Sequence, residues 1–129
     1  MKAITQEWIS KAEGDWATLM REYRARKNPN YDAVCFHAQQ CGEKYLKARL
    51  QEAGISFAKT HNLLHLLSSI LTVEPSWTNL QNSSAFLTVF AVKYRYPGSL
   101  SNKSEAKDTV KHCSLIRNAV RQSFSLPIK

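Results

Sequence analysis

An all-α fold follows from three observations on the sequence. Pro29, Gly54, Pro75, the Pro97-Gly98 pair and Pro127 punctuate it into pieces of helical length. None of these pieces sustains the apolar/polar alternation that marks a half-buried strand. Residues that favour helix N-caps, namely Thr5, Asn30, Thr60, Ser76 and Asn102, stand near the start of each piece. Helices are therefore predicted near residues 5–27, 31–53, 61–73, 77–94 and 103–124, forming an antiparallel up-and-down bundle of four long helices and a short one. At 129 residues the chain has room for a single domain, 1–129, and it contains no repeat or interdomain linker.

Helix one gathers Trp8, Ala12, Trp16, Leu19 and Tyr23 onto one stripe, an ordinary core face. Helix two carries two apolar lines, Val34, Ala38, Cys41, Tyr45 and Ala48 on one and Phe36, Leu46 and Leu50 on the other. Only a narrow strip of His37, Gln40, Lys44, Lys47 and Gln51 is left for solvent, so helix two is expected at the centre of the bundle. Gln39 and Glu43 interrupt its second line and need hydrogen-bond or charge partners there. Helix three opens after Thr60. Helix four is apolar almost all round between Phe86 and Val92, which deep burial or a dimer interface would each explain. Helix five opens at Asn102 with Glu105 three residues on, the pattern of a capping box. Its apolar stripe of Ala106, Val110, Cys113, Val120 and Phe124 is interrupted by Arg117. A guanidinium there cannot neutralise itself and must meet an anion, with Glu43 or Asp15 as the expected partner.

Charge is distributed unevenly. Residues 1–74 hold ten Lys/Arg against eight Asp/Glu, and residues 75–129 hold eight against two, so the second part supplies six of the eight net positive charges. A basic surface of this kind attracts nucleic acid, nucleotides or acidic proteins without choosing among them. Cys35, Cys41 and Cys113 form no CxxC pair and read as small core residues of a reducing compartment. The first residues mix charged with apolar side chains and contain no signal-peptide core, and no run is apolar enough to span a bilayer, so a cytoplasmic location and no membrane partner are expected. No phosphate-binding loop, dinucleotide fingerprint or nucleophile elbow is present, and no cofactor is expected. His61 and His65 have the spacing of a helical metal pair without a third ligand nearby, and no metal site is assigned.

Three stretches are more specific. They are Tyr31-Asp32-Ala33-Val34-Cys35-Phe36-His37-Ala38-Gln39-Gln40-Cys41-Gly42-Glu43-Lys44-Tyr45-Leu46-Lys47-Ala48, then Lys59-Thr60-His61-Asn62-Leu63, then Arg95-Tyr96-Pro97. Together, with Trp8 to Asp15 ahead of them and a basic last helix behind, they resemble the HEPN family, the higher eukaryotes and prokaryotes nucleotide-binding domain. The resemblance implies a helical bundle that forms homodimers. It also implies nucleotide or RNA binding at a basic cleft, and a minimal nucleotidyltransferase as partner protein, some such pairs acting as toxin and antitoxin. Active members of the family are metal-independent ribonucleases that place an arginine and a following histidine at the dimer cleft. Here the positions where that histidine would fall after Arg95 are Leu100, Ser101 and Asn102. Binding without catalysis is therefore the expectation, and the alternative is a ribonuclease using Arg95 and His61.

Residue by residue, the resemblance carries Gln40, Glu43, Lys44 and Lys47 on helix two, His61 at the start of helix three, and Arg95 and Tyr96 after helix four. Arg95 and Lys47 suit phosphate, Tyr96 suits stacking, and Gln40 suits a base edge or sugar. Structural roles compete at each position. Lys44 and Lys47 also read as solvated, Glu43 as a counter-ion of Arg117 or Arg95, and Thr60-His61 as a helix start.

Overall fold

A computed structural model describes residues 1–128. It contains five α-helices, α1 (Ala3–Tyr23), α2 (Tyr31–Ala53), α3 (Leu63–Ile70), α4 (Gln81–Thr88) and α5 (Lys103–Ser123), and no strand among the described residues. Two 3-10 turns, Pro75–Leu80 and Val89–Ala91, flank α4.

The central helix forms where the sequence predicts. At its start the Asn30 side chain accepts the Ala33 amide at 3.0 Å, and it ends at Gly54, whose φ of 71° closes the last turn in the left-handed region that glycine adopts without strain. α1, α3, α4 and α5 all pack against α2, which buries twelve of its 23 residues. Gly42 marks the tightest crossing, because a Cβ there would lie 3.1 Å from a Leu63 methyl and 3.3 Å from one of Leu87. The core runs along this axis through Leu19, Tyr45, Leu46, Leu66, Ile70, Leu87 and Ile116, each essentially inaccessible. The three cysteines are buried and unpaired, and burial together with the neighbouring Cys113 holds the Cys41 thiol well above its ordinary pKa.

Three elements differ from expectation. α1 ends at Tyr23 rather than near residue 27. Pro29 disfavours helical backbone at Asn28, which instead takes a φ of 48°, and the Glu22 carboxylate accepts the Asn30 amide at 2.7 Å to turn the chain. α3 is capped by Asn62, not Thr60. The Asn62 carboxamide accepts the amides of Leu64 and His65, while the Thr60 hydroxyl accepts that of Asn62 and holds the preceding turn.

The largest difference is at the fourth helix, which shrinks to eight residues and leaves three long helices instead of four. Thr88 donates back to the Ser84 carbonyl at 2.8 Å while accepting the Leu63 amide at 3.1 Å, and the backbone tightens into a 3-10 turn directly after it. Its apolar surround divides accordingly. Leu87 and Phe90 enter the core of this chain, whereas Val89 and Val92 remain 51% and 59% exposed. α4 is tied to α5 by the Ser83 hydroxyl and His112 Nδ1 at 2.9 Å, and by the Phe86 ring 4.5 Å from the imidazole.

Candidate functional site

The segment after α4 closes over the first half of α2. Asp32 accepts the Ser101 amide at 2.7 Å, and Glu105 accepts the hydroxyls of Ser101 and Tyr94 and, at 3.4 Å, the Lys93 ammonium. Burial opposes the Glu105 charge, but these donors outweigh it and hold the carboxyl below its ordinary range. The predicted capping box is therefore only half formed. Asn102 accepts the Glu105 amide at 2.9 Å, while the Glu105 carboxylate turns to the loop instead of reaching back.

Under this stitched loop lies a cleft of about 390 Å³ lined by Asn30, Asp32, Ala33, Phe36, His37, Phe90, Tyr94 and Arg95. Its aromatic wall is a column in which Tyr94 stacks on Phe90, centroids 6.0 Å apart, and Phe90 leans on Phe86 at 5.4 Å. Arg95 stands exposed at the rim and its guanidinium has no ion-pair partner among the described residues. Tyr96, beside it, is 73% exposed. An aromatic wall with an unspent guanidinium above it can stack a planar ring and grip an anion attached to that ring.

His37 enters the same cleft. Its Nδ1 lies 2.7 Å from Asp15 of α1, and the second oxygen of that buried carboxylate takes the Lys44 ammonium at 2.6 Å. The carboxylate fixes the ring orientation. The sequence reading leaves His37 on the solvent strip of helix two and Phe36, Phe90 and Tyr94 outside any site. The one signal for this arrangement was Asp15, a carboxylate set among the aromatic stripe of helix one where it has to find a donor.

The remaining predicted residues form a separate network further along α2. Glu43 accepts Lys47 at 2.8 Å, His61 Nδ1 at 2.8 Å and Gln39 at 3.0 Å, and Gln40 donates to Gln39 at 2.7 Å. Burial raises the Glu43 pKa, but the bonds from Lys47, His61 and Gln39 overcome it and the carboxyl titrates below its ordinary range. Lys47 is not solvated. Its ammonium is buried beside the Trp8 and Phe57 rings, 5.6 Å and 5.9 Å from their centroids, and is spent on Glu43. Lys44, likewise, is spent on Asp15. His61 keeps its ring 69% exposed but does not line the cleft with Arg95. Gln39 and Glu43, the polar intruders on the apolar line, thus satisfy each other and tie the α2–α3 connection to α2.

Arg117 also departs from expectation in its partner, which is neither Glu43 nor Asp15. It makes a two-pronged pair with Glu13 at 2.8 and 2.9 Å, donates to the Ile128 carbonyl at 2.8 Å, and stacks 4.7 Å over Trp16. Glu43 and Asp15 are already engaged in their own clusters, whereas Glu13 projects from α1 toward α5 beside Tyr45 and Arg121. Its guanidinium is thus spent inside the fold.

A sequence profile of the HEPN domain matches residues 5–123 of the 129. The chain belongs to the HEPN family. Among solved structures, the crystal structure of ST0689, an archaeal HEPN homologue, is similar to it with a TM-score of 0.72 and 28% sequence identity, covering 100% of both chains. No curated protein matches the chain. In this HEPN chain the positions that follow Arg95 at the family's histidine spacing have other work or none. Leu100 is 84% exposed, Ser101 anchors the loop to Asp32 and Glu105, and Asn102 caps α5. No helix among the described residues is long and apolar enough to cross a membrane.

Proposed function

We propose that this HEPN domain binds nucleotides or RNA in the cleft beneath Arg95, as a homodimer acting beside a minimal nucleotidyltransferase, and does not itself cut RNA. The observation that carries the binding is Arg95, a guanidinium with no ion-pair partner among the described residues, beside the half-buried rings of Phe36 and Tyr94, which the buried Phe90 backs. Arg95 takes a phosphate, the aromatic wall takes a base, and Tyr96 adds a second stacking face at the rim. The Gln40, Glu43, Lys47 and His61 cluster, in this reading, shapes the neighbouring surface of α2 rather than gripping the phosphate, because its charges answer one another. Titration of a labelled nucleotide and a labelled RNA should show binding that weakens steeply with salt, since phosphate contacts release condensed counterions. Binding that ignores salt would remove the phosphate from the account.

The dimer reading rests on Val89, Val92 and Leu100, apolar side chains left exposed in the segment that follows α4. Sedimentation should show a dimer at micromolar protein, and Val92→Glu should return it to monomer. A monodisperse wild-type monomer would refute it.

One observation favours a ribonuclease as the second reading, the Asp15-oriented His37 in the same cleft as Arg95, a better placed pair than Arg95 with His61. His37 Nε2 would accept the proton of a ribose 2′-hydroxyl, whose oxygen attacks the adjacent phosphorus. The 5′-oxygen then leaves and takes a proton from water, while Arg95 stabilises the charge on the phosphorane. With metal chelated, no cleavage is expected. Efficient cleavage lost in His37→Gln would establish the second reading in place of the first, and loss in His61→Ala instead would return the role to His61.

A further inference from the structure

We infer that the α1–α2 turn is a second binding surface, one that takes the stretch of a single nucleic-acid strand next to the part held in the Arg95 cleft. This rests on the binding reading above and adds a second surface to it. The turn is the most concentrated run of positive charge in the chain, with Arg21, Arg24, Arg26 and Lys27 against the single carboxylate of Glu22. A charge run is usually just a solvated face, but here it borders a concave surface. A cleft of about 550 Å³ is lined by Tyr23, Arg24, Arg26, Pro29, Tyr31 and Lys103 and by no acidic residue. Arg24, Arg26 and Lys103 are exposed and have no ion-pair partner among the described residues, in contrast to Lys44, Lys47, Arg49 and Arg117, which are all paired. The two nearest carboxylates in sequence are occupied elsewhere, Glu22 by the Asn30 amide and Asp32 by the Ser101 amide.

Two features select a nucleic-acid strand from the possible polyanions. Tyr23 and Tyr31, both half-buried, set aromatic rings among the cations, the combination that tracks a backbone while stacking bases without regard to sequence. The two clefts are also neighbours, because Pro29 and Tyr31 line this one while Asn30 and Asp32, adjacent to them in the chain, line the Arg95 cleft. A membrane surface would call for large apolar side chains projecting beside the cations, and none between residues 21 and 31 is among the exposed hydrophobics.

The test compares adenosine monophosphate, a dinucleotide and a series of lengthening oligoadenylates by fluorescence anisotropy, on the wild type and on Arg24→Ala/Arg26→Ala. Affinity should rise with length beyond the mononucleotide. The double variant should weaken the long strands about tenfold or more and lower their salt slope by about 1.4, the share of two phosphates on a single strand, while leaving the mononucleotide unchanged. Affinity that stops rising at the mononucleotide would overturn the inference, as would a double variant that binds long strands like the wild type or that weakens every ligand alike. An acidic peptide that binds as tightly as the long strands and is lost in the double variant would also overturn it, in favour of a protein partner. The Arg95 reading fails separately, if Arg95→Ala leaves mononucleotide binding intact.

Discussion

Glu13→Ala is expected to destabilise the protein by about 3–5 kcal/mol, the cost of leaving one member of a buried ion pair without its partner. The two ends of the pair are not equivalent. The Arg117 side chain is 5% exposed and lies over Trp16, so without Glu13 its charge can neither reach water nor be given up. Glu13 is about one-third exposed and also holds Tyr45 and Arg121, so Arg117→Met, which keeps the stem packed, should cost less, about 1–3 kcal/mol. Urea denaturation of the two variants near neutral pH measures the difference, and an Arg117→Met loss larger than that of Glu13→Ala would contradict the asymmetry. The effect depends on pH with a definite sign. Burial pushes the Glu13 pKa up, but the Arg117 and Tyr45 bonds and the arginine charges bring it below the ordinary 4.5. Its stabilisation is thus fully present above that value and lost as the pH falls through the lowered folded-state value, so wild type and Glu13→Ala should converge in acid.

Arg95→Ala should weaken nucleotide and RNA binding about 10–100-fold at low salt, since hydrogen bonds to a charged group contribute about 1.5–3 kcal/mol and nothing else at the rim can replace a two-pronged guanidinium. The helix content should not change, because the exposed Arg95 side chain has no hydrogen-bond or ion-pair partner among the described residues. Lys44→Ala is the contrasting variant. Its ammonium is committed to Asp15, so binding should shift little while the α1–α2 contact loosens and His37 loses part of its support. Comparable losses in both variants would show that the anion sits nearer α2 than the cleft geometry indicates.

Much of the fold was legible in the sequence, for identifiable reasons. Asn30, Gly54 and Asn102 are local devices whose hydrogen bonds or backbone angle close within a few residues, and each stands where the pattern put it. The two apolar lines of helix two predict a central helix, and α2 is central. The fourth helix is shorter than predicted because its apolar run reads as one long helix, while the break depends on Thr88 reaching both Ser84 and the Leu63 amide of another element. The Arg95 cleft was half legible. Arg95 itself stands in the family motif, but its wall is assembled from Phe36 on α2 and Phe90 and Tyr94 after α4, far apart in the chain.

Helical character, the HEPN signature along helix two, and the need of Arg117, Gln39 and Glu43 for partners are all written in the order of the amino acids. Which partners they have comes from the packing of the helices: Glu13 for Arg117, and Lys47, His61 and Gln39 for Glu43. The packing also leaves His61 outside the lining of the cleft that Arg95 shares with His37. The physical reason is that periodicity records where a side chain points around its own helix axis. How far one helix is shifted and rotated against the next is set by packing at contacts such as Gly42 against Leu63 and Leu87, and a shift of one turn there exchanges one carboxylate for another.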